Sequence, residues 1–272
     1  MKIGIFDSGT GGLVMLKSIV KKLPQYDYLY LGDTKRVPYG GRSLETIYRF
    51  TKEAVEYLLW RDCELIILAC NTASAEALRR IQDEFMPKHY PKRKVLGVII
   101  PAVEAVTEHK DITRVGVLAT EATVNSNKYP REFKKNNPKI KVFQNAAPLL
   151  VPLIEHDGIR YTEPMLRDYL KPLLAKKVQA IILGCTHYAL LKKQVQKIVG
   201  KKVQVFAQDD FLPGKVADYL KRHPEIEKNL TKKKWREFLL TDLARGNKRL
   251  AEKWFGGSLE FKLVKIGAPT SS

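Results

Sequence analysis

The stretch "LIILACNTASA", residues 65–75, decides the fold, because a second stretch of the same build, "IILGCTHYALL", occupies residues 181–191. Each begins as an apolar run of strand length and ends in a small residue, a cysteine and a hydroxyl-bearing or amide neighbour. The chain between Cys70 and Cys185 is long enough for one α/β unit. The two stretches alone do not establish a repeat, but two similarly built halves that faced each other would bring the two cysteines to opposite walls of one cleft.

Short apolar runs alternate with amphipathic segments of helix length along the chain. In the segment 44–60, Leu44, Ile47, Val55 and Leu58 recur at spacings that suit one face of a helix. Strands that alternate with helices predict an α/β fold of parallel sheets with helices on both sides. The predicted strands are residues 2–6, 28–31, 64–69, 95–99, 114–118, 140–143, 179–183 and 203–206.

We expect two similar parallel-sheet α/β domains related by pseudo-twofold symmetry, with the active site in the cleft between them. The first domain would comprise residues 1–97 and the returning tail 208–272, and the second would comprise residues 98–207. Ligands of such sheets collect at the carboxyl ends of the strands. The tail carries aromatic side chains that predict packing against the body, namely Trp235, Phe238, Trp254 and Phe255.

The composition limits the classes of protein that the 272-residue chain can represent. It has neither a signal-peptide pattern nor an apolar run of membrane-spanning length, and its three cysteines do not pair into a disulfide framework. We therefore expect a soluble, cytoplasmic protein with no membrane partner. The formal charge of +19 comes from scattered lysines and arginines. This scatter favours solvated basic faces over a nucleic-acid partner, and a positive field would also attract an anionic substrate.

The motif "DSGTGG", which begins at Asp7, predicts a tight turn from a strand into a helix. Gly9, Gly11 and Gly12 would let the backbone N–H groups of this turn face an anion. A dinucleotide fingerprint counted from Gly9 would need glycine where Val14 stands, and the lysine of a P-loop is missing. The motif therefore predicts a turn that binds a carboxylate or an amino acid.

Cys70 and Cys185 are the candidate reactive groups. Each precedes a predicted helix start, where backbone donors lower a thiol pKa and favour the reactive thiolate. Cys63 lacks such surroundings and is interpreted as a buried apolar residue. Polar neighbours that can bind a carboxylate or an ammonium group follow both candidates, namely Asn71 and Thr72 after Cys70, and Thr186 and His187 after Cys185.

Six segments together resemble the glutamate racemases of the cofactor-independent aspartate/glutamate racemase superfamily. They occur in the order of that family, and together with FLLTD at 238–242, which resembles the family's end, they span nearly the whole chain. The segments are DSGTGG at 7–12, PYGGRS at 38–43, ACNTASA at 69–75, GVLATEAT at 116–123, VPLIEHDG at 151–158 and GCTHYALL at 184–191.

The resemblance implies a two-base racemisation of glutamate that needs no cofactor and no metal, and that supplies D-glutamate for peptidoglycan synthesis. Cys70 would act on D-glutamate with help from Asp7. Cys185 would act on L-glutamate with help from Glu155 and His187. A base on one face of the α-carbon and an acid on the other would invert the centre without turning the substrate over.

The resemblance also implies a set of substrate-binding residues and a homodimer. Two features depart from the family pattern: Ala147 replaces a cysteine, and the segment "AQDDFLPG" from Ala207 does not match, so that Asp209 and Asp210 have no assigned role. The implied substrate-binding residues are Asp7, Ser8, Pro38, Tyr39, Gly40, Asn71, Thr72, Thr120, Thr123, Thr186 and His187.

Other functions remain open at this point. A related racemase could act on aspartate or another acidic amino acid. A thiol hydrolase could use Cys185 as the nucleophile with His187 and Glu155, although Cys70 would then have no role. A zinc site from the two cysteines and His187 lacks closely spaced ligand pairs. A non-enzymatic nucleic-acid-binding protein would rest on the charge alone.

Overall fold

Two parallel sheets form the framework of the protein. The computed structural model describes residues 1–243 and 245–267. For residues 245–247 it describes the backbone but not the side chains. The strands are β1 (Lys2–Asp7), β2 (Tyr28–Gly32), β3 (Cys63–Leu68), β4 (Lys94–Gly97), β5 (Arg114–Ala119), β6 (Lys141–Ala146), β7 (Ala180–Gly184), β8 (Gln204–Phe206), β9 (Arg236–Leu240) and β10 (Phe261–Leu263).

Four strands of the larger sheet have the same order as the four strands of the smaller sheet. The larger sheet runs β10-β9-β2-β1-β3-β4 and the smaller one β6-β5-β7-β8, and all pairings are parallel. The order β2-β1-β3-β4 therefore corresponds to β6-β5-β7-β8, which matches β3 with β7. Cys70 and Cys185 follow these two matched strands. The predicted α/β class with two similar parallel-sheet halves is confirmed, whereas the exact domain boundaries stay a prediction.

Helices cover the sheets and connect the strands. None of the helices in the described residues is long and apolar enough to cross a membrane. The α-helices are α1 (Gly12–Lys22), α2 (Leu44–Trp60), α3 (Asn71–Glu76), α4 (Leu78–Arg80), α5 (Met86–His89), α6 (Ile99–Thr107), α7 (Glu121–Asn125), α8 (Lys128–Asn136), α9 (Leu150–Glu155), α10 (Thr162–Leu174), α11 (Lys192–Val199), α12 (Gln208–Arg222), α13 (Pro224–Glu227) and α14 (Arg245–Phe255). A π-helical turn (Ile81–Phe85) and two 3-10 turns (Ile159–Tyr161 and Thr186–Leu191) complete the set.

Helix α2 has the predicted bounds. Ser43 caps it by accepting a hydrogen bond from the Thr46 N–H, as a serine at this position usually does. Ile47, Val55 and Leu58 are buried on its inner face, as their spacing predicts. Leu44, at the first helical position, is instead 55% exposed.

The structure differs from the predicted strands at two places. The strand predicted for 95–99 ends at Gly97, and Ile99 already begins α6. A short apolar run fits a buried strand or a buried helix equally well, so periodicity alone could not separate them. The sequence analysis also missed β9 and β10, which extend the larger sheet beyond β2.

The tail packs against the body through most of its predicted aromatic residues. Phe238 and Trp254 are buried, and the Phe238 and Phe255 rings meet edge to face at a centroid distance of 5.2 Å. Trp235 departs from the prediction because it is 38% exposed, with the Lys2 ammonium over its ring. Residue 244 and residues 268–272, which the predicted first domain includes, lie outside the described residues.

The turn after β1 lies directly on the end of β2. The Tyr30 hydroxyl donates to the Gly9 carbonyl oxygen at 2.8 Å. A Cβ atom on Gly32 would lie only 2.4 Å from that same oxygen. Gly32 therefore allows the close approach that places Asp7 and its turn at the edge of the sheet.

We expect Gly32→Ala to lower the free energy of unfolding by about 1–3 kcal/mol, because the backbone of Gly9 must move to admit the methyl group. Gly214→Ala is the matched control. Nothing lies within 4 Å of a Cβ at Gly214 in α12, so this change should stabilise the protein by about 0.5–1 kcal/mol. Urea unfolding of both variants measures the difference, and equal stabilities would contradict the close approach.

Candidate active site

Both candidate cysteines line one cavity of about 170 Å³ at the carboxyl ends of the two sheets. The predicted site residues that line it with them are Ser8, Pro38, Tyr39, Gly40, Asn71, Thr72, Thr120, Thr186 and His187. Asp7, Glu155 and Thr123 do not line the cavity but contact residues that do. The structure therefore brings the whole predicted set into one region.

Cys70 lies between β3 and α3 and serves as the N-cap of that short helix. The Ala73 N–H donates to its sulfur at 3.5 Å, and the thiol donates to the Ser8 Oγ at 3.4 Å. The side chain is almost fully buried. The sulfur is thus held by one helix start and by the turn after β1.

The sequence prediction of a lowered thiol pKa is wrong for Cys70 in the free protein. Burial and the nearby Asp7 carboxylate raise the pKa of Cys70 to about 12, although the Ser8 and Ala73 hydrogen bonds act in the opposite direction. The helix start therefore does not outweigh the loss of water. The free protein holds Cys70 as a neutral thiol at physiological pH.

Cys185 lies before a 3-10 turn, next to an imidazole. His187 Nδ1 is 3.9 Å from the Cys185 sulfur, and His187 Nε2 is 3.0 Å from Glu155 Oε1. Burial alone would lower the pKa of His187, but its hydrogen bonds to Cys185 and Glu155 raise that pKa well above the ordinary value. The imidazolium is thus favoured. The Trp254 ring of the tail meets the imidazole edge to face at 5.8 Å.

Asp7 is fully buried and links the two halves. It accepts hydrogen bonds from the Gly9 N–H at 3.1 Å and from the Thr186 hydroxyl at 3.3 Å. Burial raises the pKa of Asp7, while the charge of His187 acts to lower it. The turn was predicted to offer its N–H groups to a ligand, but the Gly9 N–H already donates to the Asp7 side chain.

A chain of hydroxyl groups crosses from one half to the other. Thr72 Oγ1 and Thr120 Oγ1 are 2.9 Å apart, and the Thr120 hydroxyl donates to Thr123 Oγ1 at 3.0 Å. Thr120 also caps α7 by accepting from the Thr123 N–H. Thr123 therefore supports the cavity wall from behind it.

Residues 37–41 form another wall of the cavity. The Tyr39 hydroxyl donates to Asp33 Oδ2 at 2.5 Å, so this hydroxyl is already engaged in the protein. A Cβ on Gly40 would lie 2.8 Å from the Thr120 Cβ, which shows how closely this wall approaches the second half. Gly40 thus lets the loop close one side of the cavity.

Several lining residues escaped the sequence analysis, namely Val37, Gly41, Glu121, Pro148 and Val151. Gly41, Glu121 and Val151 lie inside the quoted motifs, so their position beside predicted site residues was an available signal. Val37 and Pro148 carry no chemical group that could have marked them.

Asp210 has a structural role that the sequence did not reveal. Its carboxylate accepts from the Ala207 N–H at 3.0 Å and thereby caps α12, and it pairs with Lys192 at 2.6 Å. No structural role emerges for Asp209. Within the described residues, no three His, Cys, Asp or Glu side chains are grouped so that they could hold a metal ion.

The Cys70 thiol should react slowly with iodoacetamide in the free protein at neutral pH. Because its pKa is about 12, the alkylation rate should keep rising about tenfold per pH unit between about pH 8 and pH 10. Mass spectrometry of the peptide that contains Cys70 measures this rate. A plateau near the ordinary thiol pKa would show that burial does not control the group.

Comparison with protein families gives a match to Asp/Glu/Hydantoin racemase over residues 3–207. Among curated proteins, the glutamate racemase of Ruegeria pomeroyi is 40% identical over 238 residues, which cover 83% of this chain and 87% of that protein. The glutamate racemase of Aquifex aeolicus is 39% identical over 97% of this chain and 98% of its own length.

Solved structures give the same result. The crystal structure of a glutamate racemase isoform from Bacillus anthracis has a TM-score of 0.88 and 29% identity, with 97% of each chain covered. A Francisella tularensis glutamate racemase in complex with D-glutamate has a TM-score of 0.85 and 32% identity, again with 97% of each chain covered. The chain therefore belongs to the Asp/Glu/Hydantoin racemase family.

Proposed function

We propose that the protein interconverts L- and D-glutamate by proton transfer between its two cavity thiols. The observation that carries the proposal is the matched position of Cys70 and Cys185: each follows the corresponding strand of its sheet, and both line one small cavity. Two acid–base groups in one cavity can remove the α-proton from one face of a carbon centre and return a proton to the other.

The relatives support the substrate and the class of reaction. The protein is an amino-acid racemase, and glutamate racemases from several organisms are similar to it over most of their length. D-glutamate produced in this way supplies peptidoglycan synthesis. The crystal structure of the Francisella tularensis glutamate racemase is a complex with D-glutamate, which supports glutamate as the substrate.

In the proposed reaction, the Cys70 thiolate removes the α-proton of D-glutamate, and the Cys185 thiol gives its own proton to the opposite face. The product is L-glutamate, with Cys70 now protonated and Cys185 ionised. The reverse reaction exchanges these roles. Asp7 assists on the Cys70 side, and Glu155 with His187 assists on the Cys185 side. The scheme uses no cofactor.

Charge must be balanced before Cys70 can act, because burial disfavours its thiolate. The ammonium group of the substrate brings a positive charge into the same cavity and so favours ionisation of a neighbouring thiol. The carbanion-like state is then stabilised by fixed donors at the cavity wall. The side chains that we propose for the carboxylates are Ser8, Asn71, Thr72, Thr120 and Thr186, with Pro38, Tyr39 and Gly40 as the backbone wall and Thr123 behind it. Thr120 and Thr186 would have to turn their hydroxyl protons from Thr123 and Asp7 to the substrate, because each hydroxyl has one proton to donate.

Other functions fit the site less well. A hydrolase that used Cys185, His187 and Glu155 would leave Cys70 in the same cavity without a role. Aspartate is the alternative substrate, since it differs from glutamate by one methylene group.

We also propose that residues 1–97 with 208–272 form one domain and residues 98–207 the other, which the distribution of strands between the sheets supports. Homodimerisation, a cytoplasmic location and the absence of a nucleic-acid partner stay predictions.

Purified protein should racemise L-glutamate without any added cofactor, and it should do so after dialysis against a chelator. A substrate that lacks one methylene group has a kcat/KM lower by about 10- to 200-fold. The kcat/KM for L-aspartate should therefore be at least about tenfold below that for L-glutamate. Circular dichroism of the amino acid follows both reactions. Racemisation of aspartate alone would assign the alternative substrate, and dependence on zinc or pyridoxal phosphate would refute the two-thiol scheme.

The two cysteines should divide the reaction between the enantiomers. A serine hydroxyl is a far weaker base than a thiol, whose ordinary pKa is about 8.5, so Cys70→Ser and Cys185→Ser should both lose racemisation. Elimination from a substrate analogue with a leaving group on the β-carbon needs only the base. Cys70→Ser should therefore lose elimination of the D analogue and keep that of the L analogue, and Cys185→Ser should show the opposite preference.

The matched control is Cys63→Ser, which changes a buried cysteine of β3 outside the cavity. Cys63→Ser should catalyse elimination from both the D and the L analogue. It should also retain racemisation per folded molecule. If both active-site variants lost elimination of the same enantiomer, the two thiols would not act on opposite faces of the substrate.

A further inference from the structure

Gln208 belongs to the segment "AQDDFLPG", for which the sequence analysis assigned no role. It is the first residue of α12, directly after the strand β8 and its connection, and its side chain is only 1% exposed. It does not line the cavity. A fully buried glutamine at this place needs hydrogen-bond partners, because an unpaired buried amide is costly.

The partner of Gln208 is a residue of the site. Gln208 Nε2 donates to Asn71 Oδ1 at 2.8 Å, and the Tyr129 hydroxyl donates to the same oxygen at 2.9 Å. A carbonyl oxygen has two lone pairs, so both acceptor positions of Asn71 are occupied. Three separate segments, helices α3, α8 and α12, thus meet at one side-chain oxygen.

The other end of the Asn71 amide is free. Asn71 Nδ2 is buried and has no hydrogen-bond partner in the described part of the chain, and Asn71 is one of the cavity residues. Gln208 Oε1 is likewise buried and unpaired. Since buried polar groups are normally paired, an unpaired N–H₂ donor on a cavity residue indicates a partner that arrives with the ligand.

We propose that Gln208 is a positioning residue for the substrate: with Tyr129 it holds the Asn71 carbonyl oxygen, so that the Asn71 Nδ2 group donates to a carboxylate of the bound amino acid. This inference rests on the proposed function. In the opposite amide orientation, the oxygen of Asn71 would meet the substrate and would repel a carboxylate. In the arrangement observed, the Gln208 and Tyr129 donors occupy the Asn71 oxygen and leave Nδ2 as its unpaired end; the opposite orientation would require the Asn71 and Gln208 amides to turn together.

The alternative is that Gln208 only packs helix α12 against the site. Methionine separates the two roles, since it has a similar length and fills similar space but cannot donate. Gln208→Met also removes the unpaired Oε1, which limits its effect on stability. A residue that only packs should therefore tolerate the change.

The test is steady-state racemisation of D- and L-glutamate by Gln208→Met. Loss of one orienting hydrogen bond should raise KM about five- to tenfold for both enantiomers, with kcat changed less than about twofold. Gln194→Met is the matched control. Gln194 accepts a hydrogen bond from Thr162 and donates one to the Ile159 carbonyl, but it lies outside the cavity, so the KM of Gln194→Met should stay unchanged.

A mutant cycle makes the test specific to Asn71. In the Asn71→Ala background, Gln208→Met should raise KM by less than about twofold, because the amide that it orients is gone. Tyr129→Phe, which keeps the ring, should raise KM in the unchanged background and likewise lose its effect without Asn71. An unchanged KM in Gln208→Met, or the same increase in both backgrounds, would overturn the role of Gln208. Absence of glutamate racemisation in the unmodified protein would instead refute the proposed function.

Discussion

Burial of ionisable groups between the two sheets is the constraint on which the site depends. Asp7, Cys70 and His187 are all withdrawn from water, and burial by itself disfavours the charged form of each. The pKa values of Asp7 and Cys70 rise as a result. The pKa of His187 also rises, although burial alone would lower it, because His187 is hydrogen-bonded to Glu155 and Cys185. Its cationic form is therefore favoured beside several acidic groups.

The fold supplies this burial by repeating one arrangement twice. Parallel strands place all their carboxyl ends at one edge, and two sheets of the same strand order present two such edges to one cavity. The contacts that join the edges are short and polar. Thr186 donates to Asp7, and Thr72 meets Thr120, so side chains that line the cavity also join the two halves. A change in the relative position of the halves would therefore alter the site directly.

Much of this arrangement could be read from the sequence. The paired segments around Cys70 and Cys185 predicted two matched strands, and the strand order confirms that correspondence. The sequence could not predict the thiol pKa, because a local helix-start argument ignores the water that the folded chain excludes from the sulfur and the Asp7 carboxylate that it brings near. For the same reason it missed the contact of Gln208 with Asn71, since residues 137 positions apart meet only in the folded chain.

The high pKa of Cys70 in the free protein is compatible with the role as a base that we propose for it. A thiol that ionises readily in the empty cavity would also be exposed to oxidation and alkylation, because the thiolate is the reactive form. In the proposed scheme the neutral Cys70 thiol is favoured until the substrate brings its ammonium group beside it, because the His187 imidazolium is engaged with Cys185 and Glu155. Ionisation is thereby coupled to binding. The same burial that opposes the thiolate also strengthens its attraction to the substrate ammonium, because charges interact more strongly where water is excluded. The cavity can therefore hold an inert thiol when empty and a competent base when occupied.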